Sequence, residues 1–421
     1  MTSTLRYHPE SPWPCMRGNN QGTGYRGPGS AQIAAEEDLL VQQFRTGNSV
    51  FATPVSGPDD TIYCGSGDGR YHAIDPRTGE ERWHFETGEV IDTAGALAED
   101  GIYFVSCDGS AYAVDFEGKL RWRLDLLEDR PFFSPSTIYW WKANITLGPN
   151  GLLFAPNDDF YLYAIDPKDG RIRWGAQTGL QIWTAPAFSR DGQLVYIVSF
   201  DTHAYAFDVE TGKVRWRSPT GNFVASSPAV GEDGTVCFGS FDGTVLALDG
   251  ATGALKWRFD TGSPIYASPA IGPEGRVYLG ASNGRFYAIE PDGRGAAWTF
   301  TTGDAIRCSA ALGPDPEARS PFLVYFGGGD GLIYALEPDG TRRWSYDTTT
   351  PYEHVEYPNI NGSIALGRLG LSTGSAEGDI IFVPYRRYLD EDAEGFSREP
   401  SDGYPAEGAH FFFMSPGGRP S

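Results

Sequence analysis

Hydrophobic residues along this chain come in short alternating runs, about five residues each, bounded by clusters of Gly, Asp, Asn and Pro. A period of two predicts strands and excludes a stacked helical solenoid. The runs themselves recur. Phe223–Gly262 laid over Pro264–Gly303 superposes turn residues, apolar alternation and a Trp near the end of each unit, so the repeat is about 41 residues long. That Trp returns as Trp83, Trp122, Trp174, Trp216, Trp257, Trp298 and Trp344, marking seven units.

Each unit reads as four strands, A to D. Strand A is of the Ser-Pro-Ala-Val type, strand C carries Tyr-Ala-Ile-Asp, and strand D carries the Trp. B and C join at Asp68-Gly69, Asp108-Gly109, Asp242-Gly243, Asn283-Gly284 and Asp330-Gly331, dipeptides that predict the type I′ turn of a right-twisted hairpin. Four-stranded meanders at this period are propeller blades, since radial repetition buries both faces of every sheet against its neighbours. After Trp344 the chain offers a strand A (Ser363 to Leu366), a strand B (Asp379 to Pro384) and a late strand C (His410 to Met414), but no strand D. Val41 to Gly47 aligns with Trp257 to Gly262 with one extra position and precedes the first strand A. The expected fold is therefore all-β: an eight-bladed β-propeller of four-stranded antiparallel blades, the last closed by the N-terminal strand. Residues 1–38 are expected as an extension, 39–415 as the propeller with insertions at 125–143, 347–361 and 385–409, and 416–421 as a tail.

Composition narrows the function classes. With 54 Gly, 30 Pro and 14% aromatic residues in 421, the chain is turn-rich but globular. Its net charge of −22 has the wrong sign for neutralising phosphates, so nucleic acid is not expected as a partner. No apolar stretch approaches the ~18 residues of a membrane helix. Met1 to Ser30 holds no signal-peptide core, so cytoplasmic residence is expected. The five cysteines, Cys15, Cys64, Cys107, Cys237 and Cys308, are odd in number with no CxxC and no adjacent pair, which points to buried thiols rather than disulfides or a metal site.

The run from Tyr205 to Trp216, Tyr-Ala-x-Asp-x-x-Thr-Gly-x-x-x-Trp, resembles the repeat of the pyrroloquinoline-quinone (PQQ)-like propellers. Trp13-Pro14, Arg17-Gly18 and Thr23-Gly24 resemble the segment preceding their first strand. The resemblance spans residues 13 to 415. It reaches a superfamily that includes quinone-dependent alcohol and glucose dehydrogenases and outer-membrane assembly lipoproteins. It implies that the seven Trp dock between blades, and that Asp75, Asp115, Asp166, Asp208 and Asp249 are turn residues. The dehydrogenases often pair adjacent cysteines with a calcium held by Glu, Asn and Asp, and this chain has no adjacent cysteines. Nor does it show the signal peptide and lipid-anchor cysteine of the envelope members.

In an A-B-C-D meander the D-to-A connections and B-to-C hairpins share one face. The insertions Asp125 to Ala143, Asp347 to Asn361 and Tyr385 to Ala409 fall there, and smaller ones at Gly313 to Ser320 and Gly367 to Gly378 fall opposite. Elaborated loops on a rigid scaffold are where binding residues concentrate. Aligned strands A give one column without repeat character: Phe51, Asp92, Lys142, Trp183, Ala225, Tyr266, Arg307 and Asn361. Two positions on, the column is nearly all small: Thr53, Ala94, Asn144, Ala185, Ser227, Ser268, Ser309 and Ser363. Packing asks the same of every blade, so the irregular column answers either to a solvated channel mouth in which Asp92, Lys142 and Arg307 pair, or to a ligand. In the second case Phe51, Trp183 and Tyr266 stack while Lys142 and Arg307 anchor an anion. Trp140-Trp141, His203, and His354 with Glu353 and Glu356 lie on the same face but fix no triad or metal site.

These features predict a monomeric, non-catalytic ligand-binding or protein-interaction scaffold. Its partner would be a small anionic metabolite or a protein segment at the insertion face, with no cofactor. The alternative is a PQQ-dependent oxidoreductase of alcohols or sugars, whose calcium would draw on Asp92, Asn361 and the deeper Asn144.

Overall fold

The computed structural model describes residues 4–26, 41–126, 143–349, 359–360 and 362–384. Among them, thirty-two strands run in chain order from β1 (Gln42–Arg45) to β32 (Asp379–Pro384) and pair into eight four-stranded antiparallel sheets. Strands A of successive blades touch one another at six of the eight junctions, which makes A the innermost strand. The result is the eight-bladed propeller the repeat predicts.

The last blade closes as expected but with different strands. Its order is β1, β32, β31 (Gly370–Gly374) and β30 (Ala365–Leu366), so Asp379–Pro384 is strand C, not B. Residues 367–378 are therefore no insertion: they hold strand B and both its turns. The sequence hides this strand because Gly-Leu-Ser-Thr-Gly carries one large apolar residue. His410–Met414 lies outside the described residues, and the strand-C place it was expected to fill is taken. The chain leaves Pro384 where C-to-D turns lie, so 385–409 is not a B-to-C insertion.

Two contacts repeat between neighbouring blades. The strand-D Trp of one blade packs on a left-handed glycine in the C-to-D turn of the next. A Cβ at Gly118, Gly170, Gly212, Gly253, Gly293 or Gly340 would strike Trp83, Trp122, Trp174, Trp216, Trp257 or Trp298 at 2.5 to 2.8 Å. The indoles of Trp83, Trp122, Trp216 and Trp298 donate across the interface to Phe116, Pro167, Gly250 and Pro338 carbonyls at 2.7 to 2.9 Å. In the closing blade Gln42 takes the Trp place against Gly79, so Gln42 to Gly47 matches Trp257 to Gly262 without the extra position. The second contact sits nearer the axis, where a β-branched residue about five positions before strand A fills the space over the glycine ending strand B of the preceding blade. Ile91 lies over Gly65, Ile265 over Gly239, Ile306 over Gly280, Ile360 over Gly327 and Val50 over Gly374.

At the axis the small column forms a hydrogen-bonded belt. The amides of Ala185, Ser227, Ser268, Ser309 and Ser363 donate in turn to the hydroxyls of Ser227, Ser268, Ser309, Ser363 and Thr53, at 2.8 to 3.2 Å. Ala94 donates to Asn144 Oδ1 at 2.6 Å. Each innermost strand pairs with B over only two or three residues, and the belt satisfies amides that the sheet leaves over.

The hairpin turns differ from expectation. Gly69, Gly109, Gly243, Gly284 and Gly331 have positive φ, but the Asp or Asn before each does not. Gly69 N–H donates to Ser66 O at 3.2 Å and Ser66 N–H to Arg70 O at 3.0 Å, the geometry of a type I turn followed by a left-handed glycine in a bulge, not type I′. The third loop residue frees the Asp carboxylate to cap the preceding D-to-A connection, as Asp68 does to Gly47 and Asp330 to Gly303.

Residues 4–26 are not a loose extension. They lie across the A-to-B end of the channel. Phe188, Val230, Ile271 and Leu312 N–H groups donate to the carbonyls of Asn20, Gln21, Thr23 and Gly24, while Ser56 and Leu97 donate to Trp13 and Pro14. Tyr7 Oη accepts from Leu147 N–H, and the Arg26 side chain reaches Gly367 O, so all eight blades are touched. Arg17 is buried beneath this strap and donates to Pro269 O at 2.8 Å and to Ala310 O. Burial lowers its pKa to about 10.

The Trp–Gly contact yields a controlled test. Gly212 (φ +68°) has Trp174 2.5 Å from its missing Cβ, whereas Gly262 (φ +71°) has open space there. Gly262→Ala should cost about 1–2 kcal/mol, the strain of a left-handed L-residue. Gly212→Ala adds overpacking of about 1–3 kcal/mol, so its urea midpoint should fall clearly below that of Gly262→Ala. Equal midpoints would contradict the docking role.

Candidate functional site

The channel mouth is built from two interleaved columns. The first is the irregular strand-A column. The second, which sequence reasoning missed, is the residue just before each hairpin Asp, Asn or Glu: Gly67, Cys107, Asp158, Phe200, Phe241, Ser282, Gly329 and Ala376. Its position is fixed by backbone bonds to the neighbouring D-to-A connection, such as Phe200 N–H to Gln181 O and Phe241 N–H to Phe223 O, both 3.0 Å. The available signal was this column's lack of repeat character beside an invariant turn.

In blades 4 to 6 the two columns combine into one aromatic arc. Trp183 and Phe200 meet edge to face at 4.6 Å, Phe200 lies 5.9 Å from Phe223 and 6.3 Å from Phe241, and Phe241 lies 4.6 Å from Tyr266. Trp183 and Phe223 are 37% and 46% exposed, far above the other aromatic residues of the core. Buried Asp158 holds Trp183 by accepting its indole N–H at 2.6 Å, so the ring is fixed in one rotamer before anything binds. Arg307 ends the arc on blade 7, with its guanidinium 5.9 Å from the Tyr266 ring centroid. Arg307 is exposed and, among the described residues, makes no ion pair.

Of the expected site residues, the structure thus brings together Trp183, Tyr266 and Arg307. Phe51 is half exposed on blade 1, outside the arc, and Asp92 is partly buried and already engaged. Lys142 and Asn361 lie outside the described residues, as do Trp140, Trp141, Glu353, His354 and Glu356. His203 is a hairpin residue whose Nδ1 lies 2.8 Å from Asp201 O and 3.0 Å from Arg217. A different histidine is buried: His72, between Glu81 at 2.5 Å and Asp68 at 3.3 Å, under Phe44 of β1. It fastens the closing strand to blade 1 and is remote in role from the mouth.

This geometry defines a PQQ-like β-propeller strapped across one end of its channel. Comparison with known proteins agrees. The PQQ_2 family, described as "Outer membrane protein assembly factor BamB", matches residues 41–178, 108–222 and 201–375, and the chain belongs to it. The serine/threonine-protein kinase AfsK of Streptomyces griseus is 30% identical over 167 residues, 37% of this chain, and the match spans only 20% of the kinase. BamB from Moraxella catarrhalis aligns with a TM-score of 0.61 at 14% identity, covering 81% of this chain and 98% of that one. Quinohemoprotein alcohol dehydrogenase from Comamonas testosteroni gives 0.69 at 16% identity, covering 94% and 82%. The computationally designed Ika8 protein gives 0.65 at 14%, covering 80% and 97%. At such identities these structures share the fold alone.

All five cysteines are buried and free. Burial pushes the Cys15 and Cys237 thiols up to about 12 and Cys308 to about 11, and raises Cys64 as well. Without accessible thiolate these groups are inert. A thiol reagent at pH 8 should find almost none in the native protein and five in denaturant. A lower denatured count would reveal a disulfide and contradict the assignment.

Proposed function

We propose that the chain is a non-catalytic binding and scaffolding propeller whose channel mouth holds an anionic, partly aromatic ligand, either a small metabolite or a segment of a protein partner. The observation that carries this reading is the arc from Trp183 to Tyr266 ending at exposed Arg307, which makes no ion pair among the described residues. A protein of net charge −22 repels anions at long range, so an exposed cation beside desolvating rings favours local recognition of one. The strap of residues 4–26 leaves the mouth as the approach to the axis. Membership of a family named for an assembly factor supports an interaction role, and buried free thiols fit a monomer in a reducing, cytoplasmic setting.

The oxidoreductase reading fits less well. The oxygens it would need for calcium are those of Asp92, Asn144 and Asn361. Asn144 Oδ1 is committed to the belt through the Ala94 amide, and Asp92 has a partner of its own. Removing Asn144 from the belt would leave a buried amide unpaired, at about 1–3 kcal/mol. The described donors therefore do not match a quinone–calcium set.

A thermal-shift screen against a metabolite library tests the proposal. A stabilising hit should be an aromatic anion, and both Trp183→Ala and Arg307→Ala should abolish its shift, with the unliganded midpoint nearly unchanged in Arg307→Ala and lowered in Trp183→Ala, which takes the indole donor from buried Asp158. Dye-linked alcohol or aldose turnover after reconstitution with quinone and calcium, abolished in Asp92→Ala, would overturn it.

A further inference from the structure

The arc has a length and a texture that select among ligand classes. From Trp183 through Phe200, Phe241 and Tyr266 to the Arg307 guanidinium, successive separations are 4.6, 6.3, 4.6 and 5.9 Å. They trace a path of roughly 20 Å, the reach of about six residues of extended chain at about 3.3 Å each. A single small metabolite would cover two of these rings and leave the others in water. Neighbouring rings also stand at 85°, 68° and 45° to one another. Such rings present no common plane for the flat faces of sugars. Their outward edges and faces form an uneven apolar surface, on which proline rings or aromatic side chains pack with little loss of rotamer freedom.

Resting on the binding reading above, we infer that this arc is a docking site for an extended peptide segment of a partner protein, carrying proline or aromatic residues along blades 4 to 6 and an acidic side chain at the blade 7 end. Preorganisation supports this. Asp158 fixes Trp183, and Asn222 Oδ1 accepts the Phe223 N–H at 2.7 Å, holding the loop that displays Phe223. Leu180, also exposed, extends the apolar surface beyond Trp183 at the blade 4 end. Charge sets the polarity of the bound segment. Arg307 is the cation at one end, while the net charge of −22 disfavours acids elsewhere along the segment, so one acidic residue in a fixed register is preferred to an acidic run.

The probe is a displayed library of random ten-residue peptides selected on the intact protein, followed by fluorescence anisotropy on the synthesised winners. The expected consensus has two or more Pro or aromatic positions followed or preceded by a single Asp or Glu. Trp183→Ala should weaken such a peptide at least tenfold. Arg307→Glu should weaken it comparably, and only for peptides that keep the acidic residue, whereas Arg307→Lys retains most of the affinity. Circular dichroism and thermal midpoints of the same variants exclude misfolding as the cause. Selected peptides that bind Trp183→Ala and Arg307→Glu within twofold of the wild type would overturn the inference, as would a selection yielding no binder. If a small aromatic anion or an oligosaccharide binds in an Arg307-dependent way where no peptide does, the peptide inference fails while the binding role of the mouth stands. If nothing binds there, both fail.

Discussion

The structure depends on one interaction repeated around the axis: a hydroxyl or amide side chain of one innermost strand accepting the backbone N–H of its neighbour. Strands A are too short to satisfy their own backbone, and a buried amide without a partner costs about 1–3 kcal/mol. Serine, threonine or asparagine at one position therefore both fills the space at the axis and fixes the angle between adjacent blades. Ile or Val three positions earlier, seated on a strand-B glycine, and the strand-D Trp on a turn glycine repeat that angle at larger radii. Eight blades close because three contacts at three radii agree, with Gln42 and Val50 supplying them where the chain ends meet.

This agreement, which holds over most of the ring, gives meaning to the positions that escape it. Between the β-branched residue and the belt lies a side chain directed to the mouth, and in front of each hairpin acid lies another. Packing makes no common demand on either. In blades 7, 8, 1 and 2 the hairpin position is small (Gly329, Ala376, Gly67 and Cys107), whereas in blades 4 and 5 it is Phe. Among the described residues, rings in contact with one another wall the mouth along blades 4 to 6, while Phe51 stands apart on blade 1. A rigid frame that leaves large exposed rings on one sector, and fixes one of them with a buried carboxylate, spends stability on a surface rather than on the core.

Most of the frame was legible in the sequence, because the contacts that build it impose identical residues at identical spacing. The Trp series, the Thr-Gly and Asp-Gly turns and the Ser column each announce one radius of the ring. What was not legible departs from that uniformity. Gly370–Gly374 lacks the apolar alternation of other strands B and passed for a loop. The type I turn with a bulge shares its Asp-Gly signature with type I′, and only the Asp backbone angle separates them. Of the site, Trp183, Tyr266 and Arg307 stood out in a single column, but Phe200 and Phe241 belong to a hairpin register that becomes adjacent only when blades pack. The strap of residues 4–26 carries no repeat, and its role emerges only from the free amides it meets.

Arg307 and Ser309 stand two residues apart on the segment that leads into the innermost strand of blade 7, one ending the aromatic arc and the other in the belt. Equilibrium urea unfolding of Arg307→Ala and Ser309→Ala side by side separates the two duties most directly. Ser309→Ala removes the acceptor of the Ser268 amide and should cost about 1–3 kcal/mol. Arg307→Ala, at an exposed position where the guanidinium rests against a ring, should change stability by under about 0.5 kcal/mol. A large loss at Arg307, or none at Ser309, would mean that the mouth column holds the ring together and the belt does not.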